Sequence, residues 1–383
     1  MRRLLRYPSA YLALPLLLAC ALTLPCYDLP AGYADGILVL AVAALGFVLL
    51  DVATGIRLPT VAQFRARRYV GTREAFVGLS FAALVIVFCL LDLGLFPIPL
   101  LDNPSSYATM EPGREHVRHL SSLCWTLPVI GLLCTRHRAL RYALVGFGVV
   151  FPILVIDRNR IFAALFSFAL VLLFRRDPAR PVPWKALLAV ALAGATVFSV
   201  LGAVRSGSLD GVALPFSPAY RSAPQGVKWL LLYVSAGPYN FSSMLAKHYV
   251  NDAFLYAQLV PGTGAPGVAD TDIPLDAPNI NVGTEFLPFL MAWGMAGAVA
   301  AMLALYALLS WSIRRLRAPV SLFGWLIFLR VAYVCVMSPF APQAFIWTNF
   351  AFVALCLAMQ ASCALLPNRR ASSDLLFPTP ARP

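Results

Sequence analysis

Ten apolar runs separated by short polar connections decide what this chain can fold into. They lie at roughly residues 11–25, 36–50, 75–95, 120–134, 140–156, 161–174, 186–204, 284–313, 320–337 and 345–366. Some fall short of the roughly 20 residues that a crossing helix needs, so their edges extend by a few residues on each side. The expected fold is all-α: a polytopic membrane helical bundle of about ten transmembrane helices. Residues 1–383 form a single membrane domain, because such spans satisfy their shape requirements only together.

Composition points the same way. The chain is 60% hydrophobic and 12% charged, against about 45–50% apolar and about 25% charged in ordinary soluble domains. Its net charge of +13 would suggest nucleic acid in a soluble protein. Here the basic residues sit in short runs between apolar segments, where they set orientation instead. No nucleic-acid partner is expected.

The loops alternate in charge. One set carries 21 of the 30 basic residues, including Arg65, Arg67, Arg68, Arg136, Arg138, Arg175, Arg176, Arg314 and Arg315; the other carries 8, and Arg330 lies inside a span. The positive-inside rule then puts both termini in the cytoplasm. Outer loops are expected at 27–35, 100–119, 157–160, 205–283 and 338–344. Segment 205–283, the longest, is too apolar and aromatic for a disordered tail. It reads as a large periplasmic loop containing one or two interfacial helices. Leu245, Tyr249, Phe254 and Leu255 are expected to face the membrane, with Asn240, Ser243, Lys247 and Asn251 facing water. Arg2, Arg3 and Arg6 ahead of an apolar stretch also have the layout of a signal peptide, with cleavage after Ala19 or Ala21 as the alternative to a retained first span. The retained span fits the topology better.

Almost all of the eight cysteines fall within apolar runs, and the four histidines are scattered. With no CxxC pair or Cys/His cluster, neither a disulfide framework nor a metal site is expected. No Walker motif, dinucleotide fingerprint or hydrolase elbow is present. No cofactor is expected, and any reaction must draw on an already activated substrate.

Several polar residues stand where they are expensive. Asp157-Arg158-Asn159-Arg160 joins two apolar spans and runs against the positive-inside bias. One reading is an anion site, with guanidinium groups forking onto phosphate or carboxylate oxygens. The other is an interface cap in which Asp157 pairs with Arg160. Arg205, at the end of the seventh span, and Arg221, in the large loop, are further anion candidates. Arg330, inside an apolar run, is either functional or paired with a buried carboxylate, for which Asp92 and Glu285 are available. Arg114 and Arg118, with Glu111 and Glu115 beside them, read as a solvated, self-paired face. His248 is either a general base or an ordinary interface residue. Asn279, Asn281, Thr284 and Glu285 suit hydrogen bonding to sugar hydroxyls. They also suit plain capping, with Thr284 as N-cap and Glu285 favouring the dipole. Gly294 and Gly297 are expected to allow close helix packing.

Three of these features together resemble the bacterial O-antigen polymerases, the oligosaccharide repeat-unit polymerases of the Wzy type. They are ten or more spans with one large late outer loop, the arginine-bearing turn ahead of the apolar helix at Ile161, and Gly237-Pro238-Tyr239-Asn240 followed by 279–284 and Gly294-Met295-Ala296-Gly297. The resemblance covers roughly residues 140–300. Many relatives carry an acidic residue just before the first glycine of that last helix, where this chain has Trp293. The resemblance implies a GT-C-like glycosyltransferase in the bacterial inner membrane. It would transfer one undecaprenyl-diphosphate-linked glycan onto another at the periplasmic face, with the diphosphate as leaving group. It further implies Arg158, Arg160, Arg205, Arg221 and Arg330 as anion contacts and Tyr239, Asn240, Asn279, Asn281 and Thr284 as substrate contacts. His248, Glu285 and Asp157 are the candidate bases. A flippase and a chain-length regulator are the expected protein partners. The competing readings are an O-antigen ligase, a lipid or solute transporter, and an accessory subunit of a polysaccharide assembly.

Overall fold

The computed structural model describes residues 4–60, 63–64, 67, 69–102, 111–176, 182–206, 209, 211–261, 273–278, 280–316 and 320–366. The described helices are α1 (Ser9–Cys26), α2 (Tyr33–Thr54), α3 (Arg73–Leu95), α4 (Arg114–Ser121), α5 (Leu127–Cys134), α6 (Arg138–Leu154), α7 (Arg158–Arg175), α8 (Trp184–Ser206), α9 (Pro218–Arg221), α10 (Gln225–Ala246), α11 (Ala253–Leu259), α12 (Leu287–Arg314), α13 (Leu322–Met337) and α14 (Trp347–Leu365). Short 3-10 turns lie at Leu4–Arg6 and Ser122–Thr126. Among the described residues the sole pairing of extended chain is the bridge between Tyr27 and Phe216. The fold is all-α. Among the described residues six helical segments are long and apolar enough to cross a membrane: α1, α2, α3, α4 through α5, α12 and α14.

The chain divides into two compact units. The first comprises Met1–Pro59, Pro183–Arg317 and Phe328–Phe352. Its centre is α10, packed against α1, α2, α8 and α12. Every residue from Ser235 to Met244 is buried. Two serines there return their hydroxyls to the helix's own carbonyls, Ser235 to Leu231 at 2.7 Å and Ser242 to Pro238 at 2.8 Å, and Ser243 Oγ pairs with Tyr33 OH of α2 at 3.0 Å. That removes the cost of burying them. Approach of α2 to α10 depends on Gly36, where a Cβ would lie 2.5 Å from Ser242 Oγ.

This corrects the expectation of an amphipathic face with Asn240 and Ser243 toward water. Asn240 and Ser243 face the interior rather than water, Phe254 and Leu255 are buried, and the helix ends at Ala246. The polar residues find protein partners, so their spacing did not mark a wet face.

Helix α12 is broken. Trp293 has φ −134° and ψ 18°, and Gly294 has φ 63° and ψ −159°. Glycine enters the left-handed region without steric penalty. The expected helix-packing role of Gly294 and Gly297 does not hold. Nothing lies within 4 Å of a Cβ built on Gly294, whereas one on Gly297 would meet Phe289 O at 2.5 Å, within its own helix. Beyond the break, Tyr306 donates to Asp51 Oδ1 at 2.9 Å. The other oxygen of Asp51 accepts the Ser9 amide at 2.9 Å, so one carboxylate joins the ends of α1, α2 and α12.

The second unit comprises Thr60–Val182, Ala318–Ile327 and Val353–Pro383. Here α3 packs on α4 and α5, α5 on α6, and α6 on α7. Phe64, Phe174 and Trp325 form an aromatic knot with centroids 4.4–6.1 Å apart. Glu74 Oε2 accepts the Leu322 amide at 2.9 Å, satisfying a donor at the start of α13.

The run at 120–134 is not one regular helix. It bends through the 3-10 turn between α4 and α5, where Pro128 occupies a first-turn position. Helix α4 turns Arg114, Arg118 and Ser121 inward and leaves Glu115, His116 and His119 exposed. The expectation of a solvated, self-paired face for Arg114 and Arg118 is therefore overturned. Asp92, fully buried near the end of α3, receives Arg114 Nη2 at 2.9 Å and Ser121 Oγ at 3.0 Å. A buried carboxylate recruits the cations.

Candidate functional site

The residues singled out in the sequence divide between the two units. Asp157, Arg158 and Arg160 belong to the second. His248, Glu285, Arg205, Arg221, Arg330, Tyr239, Asn240, Asn281 and Thr284 belong to the first. Asn279 lies outside the described residues.

In the second unit the chain leaves α6 through a tight reversal. The amides of Ile156 and Asp157 donate to Ile153 O and Pro152 O at 3.0 and 2.8 Å. Ile156 has φ 52°, a strained conformation for a β-branched residue that persists only where its surroundings enforce it. The reversal delivers Asp157 to the N-cap of α7, where it accepts the Arg160 amide at 3.2 Å. Its other oxygen meets Arg160 Nε at 2.8 Å, with both side chains buried. Arg158 and Asn159 are half-buried in the first turn. The cap expected between Asp157 and Arg160 is present, and it fixes Arg160 in one orientation.

In the first unit Glu285 is enclosed by backbone. Its carboxylate accepts the amides of Gln343, Ala344 and Phe345 at 2.5, 2.8 and 3.1 Å. Its own amide donates to Ser338 O at 2.7 Å. Arg330 Nε donates to Asn349 Oδ1 at 3.0 Å, and Asn349 Nδ2 donates to Ala344 O at 2.8 Å. Arg330 thereby braces the segment that holds Glu285, and its charge acts on that carboxylate. Of the two carboxylates offered to Arg330, Glu285 is the neighbour; Asp92 is taken by Arg114. The capping role expected of Thr284 and Glu285 is not present. Phe286 is the N-cap of α12 without a side-chain bond, and Thr284 Oγ1 is buried without a hydrogen-bond partner.

A second cluster in this unit was not foreseen. Asp276 receives Tyr239 OH at 2.7 Å, Tyr33 OH at 3.0 Å and Lys247 Nζ at 2.6 Å. Lys247 also donates to Pro274 O at 2.5 Å. Tyr239 stacks on Tyr27 with centroids 4.4 Å apart. Asn240 Nδ2 donates to Ile280 O and Val282 O at 2.9 and 2.7 Å. Burial acts to raise the pKa of Asp276, but the bonds from Lys247, Tyr239 and Tyr33 and the charge of Lys247 outweigh it and hold the carboxyl below its usual value. Burial, then Asp276, push the Tyr239 phenol up, so it stays protonated and donates. Tyr239 and Asn240 spend these donors on fastening Asp276, Ile280 and Val282 to α10. The signal for Asp276 was faint: one acidic residue between Pro274 and Pro278.

Three other candidates are more open. His248 is exposed in the turn after α10 with φ 49°. Arg221 is exposed at the end of α9, and Asn281 is exposed in the connection to α12. Arg205 lies in the last turn of α8. Among the described residues no group of three or more His, Cys, Asp and Glu side chains is placed to hold a metal. Comparison with family models, with curated proteins and with solved structures finds no match.

Proposed function

We propose that this chain is an integral membrane glycosyltransferase that polymerises undecaprenyl-diphosphate-linked repeat units into a surface polysaccharide such as O-antigen. The observation that carries the reading is the capped turn before α7. A carboxylate holds one arginine rigidly beside a second at the mouth of an apolar helix. Guanidinium forks match phosphate oxygens, and a fixed fork loses little entropy on binding. The ten apolar runs each carry helix, in line with a helical membrane bundle; ten crossings, a GT-C-like arrangement, a bacterial inner membrane and cytoplasmic termini are part of the proposal.

In this reading Arg158 and Arg160 hold the lipid diphosphate; Arg205, expected as a further anion contact, belongs to the other unit. Charge grows on the diphosphate as the glycosidic bond breaks, so these contacts strengthen toward the transition state. Of the three candidate bases, Asp157 is committed to Arg160 and Glu285 to three backbone amides. His248, exposed at a loop turn, is the one we assign to accept the acceptor hydroxyl's proton. Glu285 and Arg330 then act by shaping the connection between α13 and α14.

The deciding experiment incubates the purified full chain with a defined lipid-linked repeat unit. A ladder of products is expected. A lipid-linked substrate that stays at one repeat unit, with protein shown to be folded, overturns the reading.

A further inference from the structure

The turn after α10 is fastened to α12 just ahead of its break. The Asn251 amide donates to Met291 O at 3.0 Å, two residues before Trp293. Within that turn Asn251 Nδ2 donates to Tyr249 OH at 3.1 Å. His248 holds φ 49°, a conformation that persists in a residue other than glycine only where its surroundings enforce it. The turn runs on into α11, which packs on α12. His248 and Asp252 therefore stand on a tied-down turn, joined by backbone to the end of the first segment of α12.

Trp293 closes that segment. Its ring meets Phe289 edge-on with centroids 5.8 Å apart, and Phe289 meets Phe345 in the same manner at 5.1 Å. A Cβ on Gly297 would lie 2.7 Å from Trp293 Cβ, so the bare glycine makes room for the base of the indole. The indole is thus propped from behind, yet the residue is 51% exposed. The turn tied beside it exposes two ionisable side chains, His248 and Asp252. Asp252 occupies the N-cap of α11 but makes no capping bond with its side chain.

This mixture selects one kind of occupant. An acyl chain laid here would strip water from a carboxylate and an imidazole and return no hydrogen bonds. A pyranose ring suits both parts. Its C–H face stacks on an indole, and the hydroxyls at its rim donate to a carboxylate or an imidazole. We propose that Trp293 and Asp252 form a platform for the acceptor glycan, the indole stacking on a sugar ring and the carboxylate accepting from its hydroxyls. The proposal rests on the function proposed above and deepens it, because it sets the acceptor sugar beside His248, the assigned base. A propped indole has little side-chain freedom to lose on binding, so stacking is gained at low entropic cost.

The test uses the full-length protein in lipid nanodiscs. The probe is the glycan of one repeat unit, freed of its lipid diphosphate and capped as a methyl glycoside. Its affinity is measured by calorimetric titration, alongside thermal unfolding of each protein. Trp293→Leu, which keeps an apolar side chain, is expected to weaken binding about tenfold. Asp252→Asn is expected to weaken it by a similar factor. Both side chains are exposed, so the unfolding temperatures should match wild type. A tryptophan that merely anchors the chain at a lipid interface would leave glycoside affinity unmoved. Unchanged affinity in one folded variant removes that residue from the platform. Unchanged affinity in both, or no glycoside binding by wild-type protein, overturns the site. Polymerisation is read separately. No ladder from a wild-type protein whose glycoside binding depends on Trp293 removes the glycosyltransferase reading and leaves the site. A ladder from wild type, with glycoside binding untouched in both variants, removes the site and leaves the reading.

Discussion

Tyr239 on α10 donates its phenolic proton to Asp276 across 2.7 Å, and with it α10 takes hold of the connection leading into α12. Tyr33 and Lys247 converge on the same carboxylate. Asp276→Asn keeps the shape but weakens the ion pair and leaves an amide facing donors. Loss of about 1–2 kcal/mol is expected, and Tyr239→Phe should cost about half as much. Thermal unfolding of the purified chain in detergent measures both; an Asp276→Asn protein as stable as wild type would remove the fastening role.

The same cluster predicts a dependence on pH. Asp276 has its pKa held below the usual value in the folded protein. Its stabilisation is therefore complete at pH values above the unfolded carboxyl pKa, about 3.9. It fades as pH falls through the lower, folded pKa. Between neutral pH and about pH 5 this contribution should stay constant. Wild-type and Asp276→Asn proteins should then converge in stability only under strongly acid conditions, as followed by unfolding at stepped pH.

Glu285→Gln exchanges an acceptor-only carboxylate for an amide whose NH2 cannot face the donors at 343–345. A loss of about 1–3 kcal/mol in stability is expected. If Glu285 were instead the base, turnover would collapse at unchanged stability, so measuring both quantities separates the roles.

For the proposed transfer reaction, Arg158→Ala should cost about 2–4 kcal/mol in the barrier, or roughly 30- to 1,000-fold in rate. Arg158→Lys keeps the charge but loses the fork, and should be nearly as impaired. His248→Ala should lower turnover while leaving donor binding almost intact. Normal rates in folded Arg158→Ala and Arg160→Ala proteins would falsify the diphosphate assignment for those two residues.

Topology can be read by labelling, because all eight native cysteines are buried. A cysteine introduced at exposed Ser222 should react with an impermeant thiol reagent from outside intact spheroplasts, and one at exposed Arg136 should not. The reverse pattern would invert the proposed orientation.

Hydrophobic run length made most of the long helices legible: each apolar run carries helix, although the run at 120–134 bends through a 3-10 turn and that at 284–313 is broken at Gly294. Burial of polar side chains was not legible in the same way. Asn240 and Ser243 have the spacing of a wet face, yet they are inside, because hydrogen-bond partners from 280–282 and α2 exist only once the chain has folded. Arg114 and Arg118 show the same limit from the other side. Nearby glutamates suggested local pairing, while the partner that won is Asp92 on another helix. An aspartate inside an apolar run was the available clue, since such a charge requires a cation from elsewhere. At the turn before α7, local sequence sufficed for the cap, because Asp157 and Arg160 stand three residues apart on one helical turn.

The break in α12 changes how far that helix can reach. After Gly294 it runs 20 residues to Arg314, about 30 Å at 1.5 Å per residue, which matches the hydrocarbon thickness by itself. The turn-and-a-half before Trp293 is surplus to the crossing. Backbone groups loosened at Gly294 cannot be left against acyl chains. In the proposed membrane crossing the break therefore divides a segment long enough to span by itself from a short stub, and Thr284 and Glu285 lie on the stub's side of the chain.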